Sequence, residues 1–140
     1  MPVLQKGVAA LAGKMPKVIS PKAHAIADYV TIGSFALLAG IFWGRKRRAA
    51  IAAAICAGAE LTTTLLTDFP GGITDKISLP MHIKIDYGLG ATASSMPTFM
   101  RFEDEAEAKW FRILGLNVTT VAAMTDTGGV RRERRYRRAA

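Results

Sequence analysis

Histidine, three residues, then Asp-Tyr occurs twice in this chain: His24, Asp28 and Tyr29 in "SPKAHAIADYV", and His82, Asp86 and Tyr87 in "SLPMHIKIDYG". A histidine at i and an aspartate at i+4 leave a helix on one face, about 6 Å apart at Cβ, where they can hold one proton or one metal ion between them. Each motif is followed by a Thr-Asp pair, Thr67-Asp68 and Thr125-Asp126. An aspartate in the last turn of a helix meets the negative end of the macrodipole, unfavourable by ~0.3–1 kcal/mol unless paired. Asp68 and Asp126 are therefore expected as third partners of the two motifs.

The elements that must position these groups are apolar. The chain has 140 residues, 50% of them hydrophobic, yet carries a formal charge of +8, so grease and charge must be segregated along it. Four weakly charged runs, 25–43, 49–66, 83–102 and 106–124, each approach the roughly 20 residues needed to cross about 30 Å of hydrocarbon. The first contains Asp28 and the second Glu60 as single charges. Lys109 and Arg112 can snorkel from the fourth, and Pro97 is expected to kink the third late. The single cysteine, Cys56, rules out a disulfide framework within the chain.

The spacing of the motifs is itself a pattern. Ser20 and Ser78, His24 and His82, Asp28 and Asp86, Tyr29 and Tyr87, Ile55 and Ile113, Thr62 and Thr120, Asp68 and Asp126, Gly71 and Gly129 all stand 58 positions apart without a gap. This register reads as a tandem duplication of one helix hairpin: a basic segment 1–19, a first hairpin 20–77, a second 78–129 and an Arg-rich tail 130–140. The expected fold is all-α, a bundle of four transmembrane helices made of two tandem hairpins. An even number of crossings separates the copies, so both motifs fall at the same end of the bundle.

The His-x3-Asp-Tyr starts, the aromatic helix ends "GIFWG" and "SSMPTFMRF", and the closing "LLTDFPGGI" together resemble the small bacterial membrane proteins of the SPW-repeat type, over residues 18–129. The resemblance implies a two-helix membrane repeat and brings no established biochemical activity with it.

Three readings compete for the six residues His24, Asp28, Asp68, His82, Asp86 and Asp126. In a structural latch, each histidine bonds the terminal aspartate of its own hairpin. In a metal site, imidazole nitrogen and carboxylate oxygen hold zinc, manganese or iron(II), as carboxylate-rich sites inside helical bundles do. In a proton-coupled site, histidine and aspartate exchange protons near neutral pH. Glu60, Thr64 and Asp68 form a stripe at i, i+4 and i+8 running from mid-span to this cluster. A glutamate at that depth must face inward, as a hydrogen-bonding partner of Asn117 or a threonine, or as part of a proton or substrate path.

Walker, dinucleotide-binding, nucleophile-elbow and Cys-x2-Cys signatures are absent from the sequence. The expected activity is a binding or assembly module without turnover, as a homo-oligomer or part of a larger membrane complex. The alternative is a metal-dependent membrane enzyme or a proton-coupled carrier. The tail arginines fit anionic headgroups better than nucleic acid. The cation distribution favours a multi-pass protein of the bacterial inner membrane with both termini cytoplasmic, although "RKRR" at 45–48 opposes that orientation.

Overall fold

In the computed structural model, which describes residues 10–11 and 13–128, four long helices form the bundle: α1 Pro21–Phe42, α2 Arg47–Leu65, α3 Leu79–Phe99 and α4 Ala108–Met124. Two-residue strands, β1 Thr67–Asp68 and β2 Ile77–Ser78, lie between α2 and α3. The tail 130–140, Gly129 and most of the segment 1–19 fall outside the described residues.

Local chemistry explains the helix starts. Ser20 caps α1, its hydroxyl accepting from the Ala23 amide at 3.2 Å, and Pro21 takes the first helical position, where a missing N–H costs nothing. Ser78 holds the N-cap of α3, with Pro80 in the first turn. Pro97 falls in the last turn of α3. Beyond it Arg101, at φ +58°, reverses the chain in the left-handed conformation that commonly follows a helix end.

The helices pack chiefly as two hairpins, α1 with α2 and α3 with α4, and α2·α3 and α1·α4 contacts close the bundle. The α3–α4 crossing is backbone on backbone: a Cβ on Gly90 would stand 2.7 Å from the Gly115 carbonyl oxygen. Only glycine permits that approach. The apolar core gathers Phe35, Ala49, Ala52, Ala53, Phe102 and Phe111, with the Phe111 ring 5.8 Å from Phe35 and 5.1 Å from Phe102. This core lies toward the α1–α2 and α3–α4 loops. The opposite end is polar inside.

That polar end is closed by two short parallel pairings. β1 pairs with β2 through Thr67↔Ile77 and Asp68↔Ser78, and an isolated bridge joins Ile19 to Thr125. Ile19 and Ile77, like Thr67 and Thr125, stand 58 positions apart. Each bridge thus joins the entry of one hairpin to the exit of the other. The expectation that helix 2 runs to Asp68 is corrected: α2 ends at Leu65, and Thr67-Asp68 is extended.

The all-helical architecture agrees with the sequence reading. Among the described residues one helix, α1, is long and apolar enough to cross a membrane by length and composition, and only 22% of its apolar window is buried.

Candidate metal centre

His24 and Asp28 leave the first turns of α1, and His82 and Asp86 those of α3, each pair separated by one helical turn. All four side chains are buried, both histidines to 1% exposure or less. Their potential ligand atoms lie within 4.8 Å of one another. His24 Nε2 stands 3.3 Å from Asp28 Oδ1 and 3.1 Å from Asp86 Oδ2. His82 Nε2 stands 3.1 Å from Asp28 Oδ2 and 3.2 Å from Asp86 Oδ2. The imidazole rings meet edge to face with centroids 5.1 Å apart, and Phe69 packs on both, at 6.1 and 5.2 Å.

The other nitrogen of each ring fixes its tautomer. His82 Nδ1 lies 2.7 Å from Thr67 Oγ1, and that hydroxyl also bonds the Thr63 carbonyl at 2.7 Å. His24 Nδ1 lies 2.6 Å from Thr125 Oγ1, which bonds the Val121 carbonyl at 2.6 Å. A carbonyl only accepts, so each threonine spends its one proton there and must accept from the imidazole Nδ1–H. In the neutral rings, Nε2 therefore presents a lone pair to the carboxylates. Lone pairs facing carboxylate oxygens at 3.1–3.3 Å repel unless a cation stands among them.

Two protons, giving two imidazolium ions against two carboxylates, or one divalent metal ion would each neutralise the site. The geometry bears on the choice. An N–H on His82 should aim at one of its two close oxygens, yet His82 Nε2 makes no hydrogen bond. Of the four close approaches, His24 to Asp86 has hydrogen-bond geometry. A tetrahedral ion with ligands about 2.0–2.1 Å away has ligand–ligand edges of about 3.3–3.4 Å; the four imidazole–carboxylate approaches are of that size but use both oxygens of Asp28, and the four ligand atoms, one from each residue, lie within 4.8 Å of one another. The threonine hydroxyls are then outer-shell groups that hold each ring in the ligating tautomer.

The residues expected from sequence divide. His24, Asp28, His82 and Asp86 converge, whereas Asp68 and Asp126 do not belong to the group. The latch as drawn is therefore corrected: each histidine bonds a threonine of the opposite hairpin. The cause is the extended backbone at Thr67-Asp68 and at Thr125, whose φ/ψ of −78°/130° leaves the helix. Successive side chains of an extended segment point to opposite sides, so Thr67 and Thr125 are buried while Asp126 is exposed. Asp126 instead accepts from the Gly128 amide at 2.7 Å, and Asp68 lies opposite Ser78 in the β1–β2 pairing. Thr67 and Thr125 are site residues that the sequence reading quoted only as companions of the aspartates.

Glu60 is buried, as is Thr64, whose hydroxyl reaches Asp28 Oδ2 at 3.5 Å. Asn117 is exposed and donates to Thr31 Oγ1 of α1 at 3.3 Å, tying α4 to α1. The Glu60–Asn117 pairing expected from sequence is thus replaced by a bond between Asn117 and Thr31.

In comparisons with protein-family models, with curated proteins and with solved structures, nothing matches this chain.

Proposed function

We propose that the chain is a membrane-embedded module in which one divalent transition-metal ion, held by His24, Asp28, His82 and Asp86, fastens two hairpins of a duplicated unit. The observation that carries this reading is the convergence of two imidazole Nε2 atoms and two carboxylates, their ligand atoms within 4.8 Å of one another, with both Nδ1 atoms committed to threonines. Imidazole with carboxylate suits zinc, iron(II) or manganese, whereas magnesium and calcium favour all-oxygen shells of six or more ligands. Four protein ligands complete a tetrahedral shell and leave no open position. That is the pattern of a structural rather than a catalytic ion, in keeping with a binding or assembly role.

Membrane insertion is supported by an inverted distribution of polarity. Ile26, Val30, Leu37 and Ile41 of α1, Ile51, Ile55 and Leu61 of α2, Phe99 of α3, and Ile113 and Leu116 of α4 are exposed, while His24, Asp28, Glu60, Thr64, His82 and Asp86 are buried. Water would favour the reverse. The hydroxyls of Ser34, Thr62, Ser95 and Thr120 turn back on the carbonyl four residues earlier, which satisfies them without solvent. Trp43 and Trp110 are exposed beside the charged loops, where interfacial aromatics anchor. On this reading all four helices span the bilayer, in a bacterial inner membrane, with anionic lipids against the basic segments.

Two measurements test the proposal. Reporter fusions after Gly44 and after Ile73 should fall on opposite sides of the membrane, and a shared side contradicts four spans. Detergent-purified protein should carry transition metal, melt lower in chelator and recover with zinc, manganese or iron(II). Protein that is metal-free and melts identically under all these conditions contradicts the metal centre.

A further inference from the structure

The loop end of the bundle holds a cleft of about 290 Å³, lined by Arg45, Lys46, Arg47, Arg48, Ala49 and Glu105. Four cations there face one carboxylate, and that carboxylate is already met: Lys46 Nζ stands 2.7 Å from Glu105 Oε2 and 3.7 Å from Glu107 Oε2. The three arginines are differently placed. Arg48 spends one nitrogen on the Arg101 carbonyl, which carries no charge. Arg47 lies with its guanidinium 4.6 Å from the centre of the Trp43 ring. Among the described residues, none of Arg45, Arg47 and Arg48 is paired with a carboxylate. Planar guanidinium groups match the oxygens of a phosphate, which they bind through paired N–H donors.

What lies beside the cleft narrows the source of that phosphate. Trp43 is 51% exposed, as an aromatic at the membrane–water interface is. From Arg47, α2 continues through Ile51 and Ile55 at i+4 and i+8, the same helix face, and both are exposed. A free phosphate or a nucleic acid would use the guanidinium groups and leave this apolar strip bare, whereas a phospholipid uses both. The second hairpin has no such cleft, since acidic "EDEA" stands at 103–106, 58 positions after "RKRR".

From this cleft of uncompensated guanidinium groups above an exposed apolar strip of α2, we infer a binding site for one anionic phospholipid, its phosphate among Arg45, Arg47 and Arg48 and an acyl chain along Ile51 and Ile55. The inference rests on the membrane reading above and is independent of the metal centre. A zwitterionic headgroup carries its own ammonium and would bring a cation into the cleft, so the site selects a headgroup of net negative charge.

Native mass spectrometry of the full chain, released from detergent micelles doped with phosphatidylglycerol or with phosphatidylcholine, tests this. Wild type should retain one phosphatidylglycerol per chain and no phosphatidylcholine. Arg45→Gln with Arg47→Gln should weaken retention about 30-fold, two basic residues being lost, whereas Lys22→Gln with Lys84→Gln, at the opposite end, should retain the lipid. Equal retention of both lipids, or unchanged retention in the arginine variant, overturns the site. Inorganic phosphate and glycerol phosphate, which lack acyl chains, should not displace the lipid. Displacement by either at equimolar concentration overturns the acyl contact and reduces the cleft to an anion site. Four membrane crossings by reporter fusion together with no retained phosphatidylglycerol overturn this site alone, whereas fusions that share one side overturn the membrane reading beneath it.

Discussion

The two ends of the bundle treat the 58-residue register in opposite ways. At the buried polar end, the hairpins supply the same residues: Ser20 and Ser78, His24 and His82, Asp28 and Asp86, Thr67 and Thr125. Their contacts interchange as well, His24 with Thr125 and Asp86, His82 with Thr67 and Asp28. At the loop end, "RKRR" at 45–48 is replaced 58 positions later by "EDEA" at 103–106. Lys46 there bonds Glu105 at 2.7 Å and approaches Glu107 at 3.7 Å, while the Arg48 side chain donates to the Arg101 carbonyl at 2.9 Å. A centre shared by two halves needs identical donors from each. Two loops that meet across the same axis would repel if identical and charged, so they are held by complementary residues. One end preserves sameness and the other depends on difference.

The largest expected effect lies at the shared centre. Asp86→Ala removes the carboxylate that faces both imidazoles, and breaking such a buried set costs about 3–5 kcal/mol. Chemical denaturation should show it, and a loss well below 1 kcal/mol would deny the centre its structural role. Next come His24→Gln and His82→Gln. Each should abolish the metal-dependent rise in melting temperature, equivalent to about 2.7 kcal/mol when free metal is 100 times the dissociation constant. Because the halves contribute alike, the two variants should behave alike. A large difference between them breaks the equivalence of the hairpins at this end.

Thr67→Val and Thr125→Val probe the outer shell. They keep shape but remove the acceptor that holds each imidazole in its ligating tautomer, so metal affinity should fall about 10–100-fold while a bundle lacking metal melts nearly unchanged. Equal losses of stability with and without metal would reduce these hydroxyls to packing.

The smallest effect belongs to the loop end. Lys46→Glu should lower the melting temperature slightly, and Lys46→Glu with Glu105→Lys should restore it, since exposed pairs contribute little. The Glu105 hydrogen bond raises the Lys46 ammonium above its ordinary 10.5. A raised lysine gives its full contribution below that ordinary value and loses it as pH climbs through the raised one. The pair should thus be indifferent to pH across the neutral range and weaken only in strong alkali. If the double variant melts as low as the single, the complementarity of the loops is incidental.

Much of this was legible in the sequence because helix periodicity is local. The four runs foretold the four helices to within a few residues, and i, i+4 spacing put His24 with Asp28 and His82 with Asp86 before any tertiary contact was known. The partner of each histidine was not legible, since it depends on where α2 and α4 stop. Reading Thr67-Asp68 as helical turned Asp68 inward, and two residues of extended chain turn it away and present Thr67 instead. The exchange between hairpins was also hidden. A duplicated motif shows that two copies exist, but the chain alone does not say whether each copy completes its own site or both share one. Asn117 illustrates the same limit: its partner, Thr31, lies 86 positions away on a helix of the other hairpin.

X-ray absorption of the full-length protein at one equivalent of zinc tests the centre most directly. The account predicts a four-coordinate shell of nitrogen and oxygen at about 2.0–2.1 Å, with the outer-shell scattering of two imidazoles, reduced to one in His24→Gln and in His82→Gln alike. A sulfur neighbour at about 2.3 Å, which among the cysteines only Cys56 could supply, or a shell without imidazole, would contradict it.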